Sequence, residues 1–324
     1  MANSTMATSE FVSPIDRSGS AWARTGNVLP QNASIEAWNE VAGFNYSVMR
    51  TKASYTPKGH TSPIVVPNLD ILYRSDNNEV LSEVSSNYKI ACQPHNILEF
   101  YRKLVDDFGF QIEVAGSIKG GKRVWALANT GNHFALKGSD DVHGYLMLAT
   151  SYDRSMSTIA SFTSHRYICH NMLNWIVNQQ SGATCVKVNH SSAVNFDSIK
   201  EKLDMGVTNG WNNFEEVAKV LSERKVSVDD VIKFVHNLYG EKDLDVNDEK
   251  QPKLKMKKVW EAIKNGPGQN LESAAGTAWG LLNGVTYYED HEIRGSEENR
   301  MISSQFGVGS ERKQKAMKYL LELV

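Results

Sequence analysis

The residues from Lys119 to Trp125 combine positive charge with an aromatic ring around a predicted turn. Lys119, Lys122 and Arg123 flank a pair of glycines, and Trp125 follows two residues later. Side chains alternate between the faces of a strand, so Arg123 and Trp125 share one face. Lysine and arginine neutralise phosphates, and a planar ring stacks on bases for about 1–3 kcal/mol per base. The motif predicts a nucleic-acid platform; the alternative is a solubilising hairpin tip with Trp125 in the core.

A second chemically dense segment runs from His165 to Asn171. If it is helical, His165 and Cys169 lie one turn apart, as two ligands of one metal would, and Cys169 beside His170 suggests a nucleophile. A structural zinc site needs four ligands, and no second pair stands at a recognisable spacing. Adjacent helical residues also point about 100° apart. We therefore expect the start of a helix here, with Arg166 facing phosphate, rather than metal or thiol chemistry.

A third candidate group lies near the end of a predicted helix. Trp279, Asn283 and Tyr287 recur every four residues, and Asp290 and His291 close the same side. Adjacent aspartate and histidine are typical of acid–base pairs and metal sites. The alternative is structural, because a buried polar side chain must be hydrogen-bonded somewhere. With His165 from the second segment, Asp290 and His291 are the candidate catalytic residues.

Charge is distributed unevenly along the chain. The 324 residues carry a net charge of −2, so any contact with nucleic acid must come from a local basic patch. Between Phe110 and His190, seven lysines and arginines face four acids, whereas between His190 and Lys250 eight cations face thirteen acids. This asymmetry suits a basic strand surface backed by acidic helices.

Composition and missing motifs exclude several classes of protein. Three cysteines, with no C-x-x-C pair, favour a reducing, cytoplasmic compartment over a disulfide framework. Met1 to Ser20 lacks the basic and apolar regions of a signal peptide and is interpreted as a partly disordered leader. No apolar run is long enough for a membrane span, and no phosphate-binding or dinucleotide motif occurs, so no cofactor is evident.

Hydrophobic periodicity predicts an α+β fold with a strand-rich first half and a helix-rich second half. We expect a partly extended arm over residues 1–62, with one short helix, and regular structure from about Ile64. An antiparallel core with a packed helix is expected over 63–190, and a helical part integrated with it over 191–324. The strands are predicted at Leu69 to Arg74, Glu79 to Glu83, Tyr88 to Cys92, Phe110 to Ile118, Arg123 to Ala128, Tyr145 to Tyr152, Ser157 to Phe162 and Thr184 to Val188. The helices are predicted at Ser34 to Ala42, Pro94 to Phe108, His165 to Asn178, Asp197 to Asp204, Asn212 to Glu223, Val228 to Tyr239, Lys253 to Lys264, Ser273 to His291 and Ser310 to Leu323, with Gly240 to Lys250 as a solvated connector.

Five groups of residues, in order along the chain, match the motifs of one known family. They are Tyr73-Arg74-Ser75-Asp76 with Val80-Leu81, Ala115-Gly116-Ser117 with Gly121 to Trp125, Arg166 to Leu173, Thr277 to Asn283 with Asp290-His291, and Gly307 to Ala316. On these residues the chain resembles the phage/plasmid-like family of domain of unknown function 932. The resemblance implies a protein of a mobile element, in a bacterial cytoplasm, acting in the element's DNA metabolism or in its contest with the host.

Three hypotheses follow. The first is a protein that binds or anneals single-stranded DNA in recombination or replication, oligomeric as annealing proteins are, through Lys119, Lys122, Arg123, Trp125 and Arg166. The second is an anti-defence or metabolic enzyme, or a small-ligand protein, using His165, Asp290 and His291. The third is a phage structural or assembly protein, which its presence in virions would identify. Of these, a protein that is not an enzyme is favoured.

Overall fold

In the computed structural model, the described residues are 21–30, 33–169, 171–174, 185–191, 194–240 and 254–323. The predicted leader, Met1 to Ser20, and nearly all of the predicted connector from Gly240 to Lys250 lie outside them. The described chain confirms the predicted α+β class, with antiparallel sheets in the first half and mainly helices in the second.

The elements follow one another in two blocks. The strands are β1 (Val48–Tyr55), β2 (Ile64–Arg74), β3 (Val80–Ser85), β4 (Gln111–Ile118), β5 (Arg123–Leu136), β6 (Asp140–Ser151), β7 (Thr158–Arg166), β8 (Asn171–Asn174) and β9 (Cys185–Val188). The helices are α1 (Ala21–Thr25), α2 (Ile35–Val41), α3 (Pro94–Phe108), α4 (Phe196–Glu223), α5 (Val228–Tyr239), α6 (Leu254–Asn265), α7 (Ala278–Tyr287), α8 (Glu297–Phe306) and α9 (Val308–Leu321). A 3-10 turn (Tyr167–Cys169) joins β7 to β8, and a π-helical turn (Tyr288–Glu292) extends α7.

Two antiparallel sheets organise the strands. A three-stranded sheet has the order β1-β2-β3, and a six-stranded sheet has the order β4-β5-β6-β7-β8. Strand β9 pairs with the first part of β7, on the same edge that β8 occupies further along. In the larger sheet the strands connect as successive hairpins, so the turns at one end of the sheet lie close together. This end carries the Lys119 turn.

Both faces of the six-stranded sheet are covered. Helix α3 packs on one face, where the hydroxyl of Tyr101 donates to the carbonyl oxygens of Ala126 (2.8 Å) and Leu146 (2.9 Å). On the other face a smaller cluster gathers Trp22 of α1 and Met301 of α8 around Trp125. A strand buried on both faces shows no polar–apolar alternation in sequence.

Helix α3 has the predicted bounds. Its buried residues recur at helical spacing, Pro94 fits the first turn, and Gly109 ends the helix in the left-handed conformation. At the start, the backbone amide of Gln93 donates to the side chain of Asn96 at 2.9 Å. Local signals at both ends and along one face therefore agree.

Several predicted boundaries are wrong. The helix expected from His165 to Asn178 is instead the end of β7, the 3-10 turn and β8, with residues 175–178 outside the described part. Both faces of β7 are buried, so its sequence lacks the alternation of a half-exposed strand and cannot be distinguished from a buried helix by periodicity. Helix α4 is continuous where a break was expected between Asp204 and Asn212, and α8 was missed although Ser296 caps it.

Regular structure also begins earlier than expected. Strand β1 pairs with β2 from Val48↔Arg74 to Tyr55↔Ile64, so the predicted boundary at residue 62 falls in the loop between two paired strands. The helical part contacts the larger sheet directly, through α4 on β5 and through α7 and α9 on β8.

Candidate functional site

The turn between β4 and β5 is built from three successive residues with positive φ. These are Lys119 (52°), Gly120 (68°) and Gly121 (90°), and the strands resume at the pair Ile118↔Arg123. A side chain at Gly121 would lie 2.6 Å from the hydroxyl of Tyr46, which donates to the Gly121 carbonyl oxygen at 3.0 Å. The glycines therefore fix a tight turn that projects Lys119 into solvent.

Two further turns meet this one. From the β2–β3 turn, Nη1 of Arg74 donates to the Gly120 carbonyl oxygen at 3.2 Å, and its guanidinium lies 3.9 Å from the ring centroid of Tyr46. From the β6–β7 turn, the backbone amide of Tyr152 donates to the Lys122 carbonyl oxygen at 2.8 Å. The three turns thus form one surface at the end of the molecule.

Five cations lie on this surface, which we call the hairpin-end patch: Arg74, Lys119, Lys122, Arg123 and Arg154. Arg74 pairs with Asp76 at 2.6 Å, which lowers the pKa of that carboxyl, and Arg123 lies 3.6 Å from Asp153. Within the part of the chain that the structure describes, no carboxylate lies within ion-pair distance of Lys119, Lys122 or Arg154.

Arg123 is less available than the sequence suggested. Its Nε donates to Oγ of Ser155 at 2.8 Å, and its side chain is largely covered beside Asp153. Arg123 therefore braces the β6–β7 turn. That turn presents Arg154, in the left-handed conformation at φ 62°, to solvent.

Trp125 is not an exposed platform, and this part of the prediction is wrong. The predicted alternation holds, since Trp125 and Leu127 share one face and Val124 and Ala126 the other, but both faces are buried. Trp125 is 1% exposed, with its ring centroid 4.4 Å from that of Trp22 in an edge arrangement. Helix α1, distant in sequence, covers it.

Arg166 does not face phosphate either. It is buried, with Nε 2.5 Å from Oδ1 of Asp140 and Nη2 donating to the Gly268 carbonyl oxygen at 3.0 Å. Asp140 also accepts from Ser273 (2.7 Å) and from Nε1 of Trp279 (3.0 Å). These contacts connect the sheet to the segment before α7. Because the charge of Arg166 is paired with a buried carboxylate, Arg166 is not one of the nucleic-acid-binding residues.

His165 lies in β7, directly across from His143 of β6, which in turn faces His133 of β5. Solvent exposure decreases across these three histidines, from the exposed His133 to the buried His165. The His165 ring contacts that of Tyr145 edge-on, with a centroid distance of 5.9 Å. The i, i+4 metal geometry with Cys169 does not form, because neither residue lies on an α-helix. Across the described ranges, no three His, Cys, Asp or Glu side chains are grouped as metal ligands.

A polar cluster adjoins His165 on the same sheet. The hydroxyl of Tyr145 donates to Oε2 of Glu113 at 2.9 Å, and Nδ2 of Asn129 donates to Oε1 of Glu113 at 3.0 Å. Burial and the neighbouring carboxylate raise the pKa of Tyr145 well above its ordinary value. These side chains are titratable but buried, so they are not an open cleft.

Asp290 and His291 lie next to each other in the π-helical turn, but their side chains have different surroundings. Asp290 is buried and accepts from the Met172 amide (2.8 Å) and from Nζ of Lys313 (2.8 Å). His291 is half-exposed, with Nδ1 3.4 Å from Nη2 of Arg24 and its ring tilted by 37° against that of Tyr287 at a centroid distance of 4.8 Å. The carboxylate of Asp290 is occupied structurally, so these two residues do not form an acid–base pair.

The motif residues from the second half of the chain nevertheless come together. Asn171 Nδ2 donates to the Asn283 carbonyl oxygen at 2.9 Å, beside the Arg166–Asp140 and Asp290–Lys313 pairs. They join β7 and β8 to α7 and α9. Arg74 and Arg154 were not predicted as site residues. Both lie at turns, and only Arg74 belongs to one of the family motifs.

Comparison with known protein families gives a match over most of the chain. The model of the family described as domain of unknown function (DUF932) matches residues 80–319. No curated protein and no solved structure matches the chain. Among the described residues, no helix has both the length and the apolar character needed to cross a bilayer.

Proposed function

For this chain, which belongs to the DUF932 family, we propose that it binds single-stranded DNA through the hairpin-end patch. The family description names no activity, so the proposal stands on geometry. Its resemblance to phage/plasmid-like proteins favours recombination or replication of a mobile element as the setting.

One observation supports the proposal above the others. Three adjoining turns hold Lys119, Lys122 and Arg154 on one surface, without a carboxylate at ion-pair distance in the described chain. Of the nearby acids, Asp76 and Asp153 pair with Arg74 and Arg123. The carboxylate of Glu79 lies against Gly120 in the same surface and acts on Arg74, so the five cations outnumber three acids and the patch keeps a net positive charge. A concentration of unneutralised cations is costly unless an anion approaches, and a nucleic-acid backbone supplies closely spaced phosphates.

The mode of binding follows from the side chains present. Lysine and arginine at the turn tips contact phosphates, and the described residues at this end of the sheet include no exposed tryptophan for base stacking. We expect affinity without strong sequence preference and with marked salt dependence. For about three phosphate contacts on a single strand, log K falls with log[salt] at a slope of about −2.

The test is fluorescence anisotropy of a labelled oligothymidylate at several salt concentrations. The triple variant Lys119→Ala/Lys122→Ala/Arg154→Ala should lose most of the affinity and most of the slope. The matched control removes three exposed lysines from the helical half, Lys202→Ala/Lys233→Ala/Lys264→Ala, and should bind as the wild type does. Absence of binding by the wild type at low salt, or equal binding by the triple variant, would overturn the proposal.

Annealing is the finer part of the proposal. It requires two complementary strands to be held in register, which an oligomer achieves by repeating the patch. The measurement is the mass of the purified particle with and without single-stranded DNA, together with the rate at which complementary strands pair. A monomer that binds DNA without accelerating pairing would limit the function to binding.

A second candidate, a small-ligand protein or enzyme, is favoured by the titratable cluster of Glu113, Tyr145 and His165. Its burial means that a ligand must be enclosed rather than docked from solvent. Metal analysis of the purified protein and mass spectrometry of the supernatant after heat release test it. Empty results from both would count against it.

A further inference from the structure

The hairpin of β1 and β2 extends beyond the rest of its sheet. Strand β3 pairs with β2 only from Leu69 to Tyr73, whereas β1 follows β2 to the pairs Ser54↔Val65 and Tyr55↔Ile64. A register shift after Lys52 and the positive φ of Asn68 (57°) bend the ribbon where β3 ends. We call residues 51–69 the β-arm.

The β-arm is not packed on the protein. Ala53 is its last buried residue before the tip, and every residue from 54 to 68 is exposed or half-exposed. Tyr55 is 56% exposed, Val65 54% and Ile64 43%. An exposed two-stranded ribbon with large apolar side chains is marginal by itself, so these residues indicate a contact surface.

Charge identifies the kind of partner. No aspartate or glutamate occurs between Glu40 and Asp70, whereas Arg50, Lys52 and Lys58 lie in that interval. Asp70 accepts from Lys52 at 2.8 Å and from Arg50 at 3.4 Å, so one carboxylate is shared by two cations. Lys58, near the tip, has no ion pair in the described chain. The complementary partner is an anion that also offers flat apolar surfaces.

From these observations we propose that the β-arm is a second contact for single-stranded DNA, with Tyr55 stacking on a base and Lys58 binding a nearby phosphate. Tyr55 and Ile64 are directly opposed, so they share one face of the ribbon and present a continuous apolar edge. Aromatic side chains beside cations are how proteins bind single strands without sequence preference. The inference rests on the proposed function and adds a site to it.

The two sites are joined by one strand. Strand β2 runs from Ile64 in the β-arm to Arg74 in the hairpin-end patch. At about 3.3 Å per residue the separation is about 30 Å. The spacing of about 3.4 Å per phosphate belongs to one strand of a stacked duplex, so roughly ten phosphates are the most that are needed to span this distance, and a more extended single strand needs fewer. An oligonucleotide much shorter than this reaches only one site, whereas a longer one spans both.

This length difference gives the test. Anisotropy is measured with a 3-nucleotide and a 25-nucleotide oligothymidylate for the wild type, Tyr55→Ala and Lys58→Ala. Tyr55→Ala should weaken binding of the long strand about 5- to 150-fold, the range expected for one stacked base. Lys58→Ala should reduce the salt slope for the long strand by about 0.7. Relative to the long strand, the short one should bind weakly to every protein.

Controls separate a local effect from a general one. Tyr167→Ala removes another exposed tyrosine, 46% exposed, from the turn between β7 and β8, and Lys233→Ala removes an exposed lysine from α5; both should bind the long strand normally. Tyr55→Phe should retain affinity because stacking needs only the ring. Thermal unfolding verifies that each variant is folded.

The outcomes distinguish the two proposals. If Tyr55→Ala binds the long strand as the wild type does while the hairpin-end triple variant does not, the β-arm inference is overturned and the proposed function stands. If the wild type binds neither strand, both are overturned. If Tyr55→Ala changes the particle mass but not the DNA affinity, the arm contacts a second copy of the chain, and the inference is again overturned.

Discussion

The ammonium group of Lys313 lies 2.8 Å from Oδ1 of Asp290, and both side chains are 1% exposed. The same ammonium donates to the Met172 carbonyl oxygen at 2.7 Å, while Asp290 accepts from the Met172 amide. A buried pair of this kind is satisfied by its surroundings and is costly to break from one side.

Replacing Lys313 by methionine should therefore destabilise the protein strongly. Lys313→Met leaves the Asp290 carboxylate buried without its cation, and we expect the free energy of unfolding to fall by about 3–5 kcal/mol. Urea denaturation measures it. Lys318→Met, on the exposed side of α9, should change stability by only about 0.5 kcal/mol. The double variant Asp290→Asn/Lys313→Met should cost less than the sum of its single changes.

The burial of Trp125 predicts separate effects on stability and binding. Trp125→Ala removes a ring packed edge-on against Trp22, so the unfolding free energy should fall by about 3–5 kcal/mol. Trp125→Phe keeps part of the packing and should bind single-stranded DNA as the wild type does. A loss of affinity for single-stranded DNA in the folded Trp125→Phe protein would contradict this prediction and indicate that Trp125 takes part in binding.

His143 makes stability depend on pH. Burial, and then the neighbouring His133, hold the pKa of His143 below its ordinary value of 6.5, against the opposing charge of Asp141. The unfolded chain therefore takes up the proton first as the pH falls. Above pH 6.5 His143 is neutral in both states and does not lower the free energy of unfolding. As the pH falls from 6.5 toward the lower pKa of the folded state, the free energy of unfolding decreases. Unfolding curves between pH 8 and pH 5 should show this decline, and His143→Gln should flatten it.

The three cysteines should react slowly in the folded protein. Burial raises the pKa of Cys92 to about 12 and raises the pKa values of Cys169 and Cys185, although Arg166 beside Cys169 opposes the rise there. Since the thiolate is the nucleophile, alkylation at pH 8 should be slow in buffer and fast in denaturant. Rapid modification of Cys169 in the native state would revive thiol chemistry at the β7–β8 turn.

Local signals account for the parts of the fold that were predicted correctly. Helix α3 has an apolar face at helical spacing, a proline in its first turn and a glycine at its end, and all are properties of adjacent residues. The β4–β5 hairpin has glycines where the turn needs positive φ. Such features do not depend on the rest of the chain.

The errors arise where distant residues decide. Strand β7 has no polar–apolar alternation because both of its faces are buried, and this led to the wrong prediction of a helix at His165. Trp125 was placed on the correct face, but its exposure depends on Trp22, about a hundred residues earlier. Arg166 is removed from the surface by Asp140 and by the loop at Gly268. Secondary structure at the site was thus partly predictable, whereas solvent access was not.

The edge strand β8 is synthesised well before the side chains that bind its outer backbone groups. The amide and carbonyl of Met172 are bound by side chains that follow it by 118 and 141 residues. At about 5–20 residues per second, synthesis of those 141 residues takes roughly 7–28 s. During that interval the strand lacks its side-chain partners, and an unprotected strand can pair with other chains. Helix α9 therefore protects the exposed edge of β8 only after it has been synthesised. A chain truncated before Lys313 should accumulate in cells as aggregate.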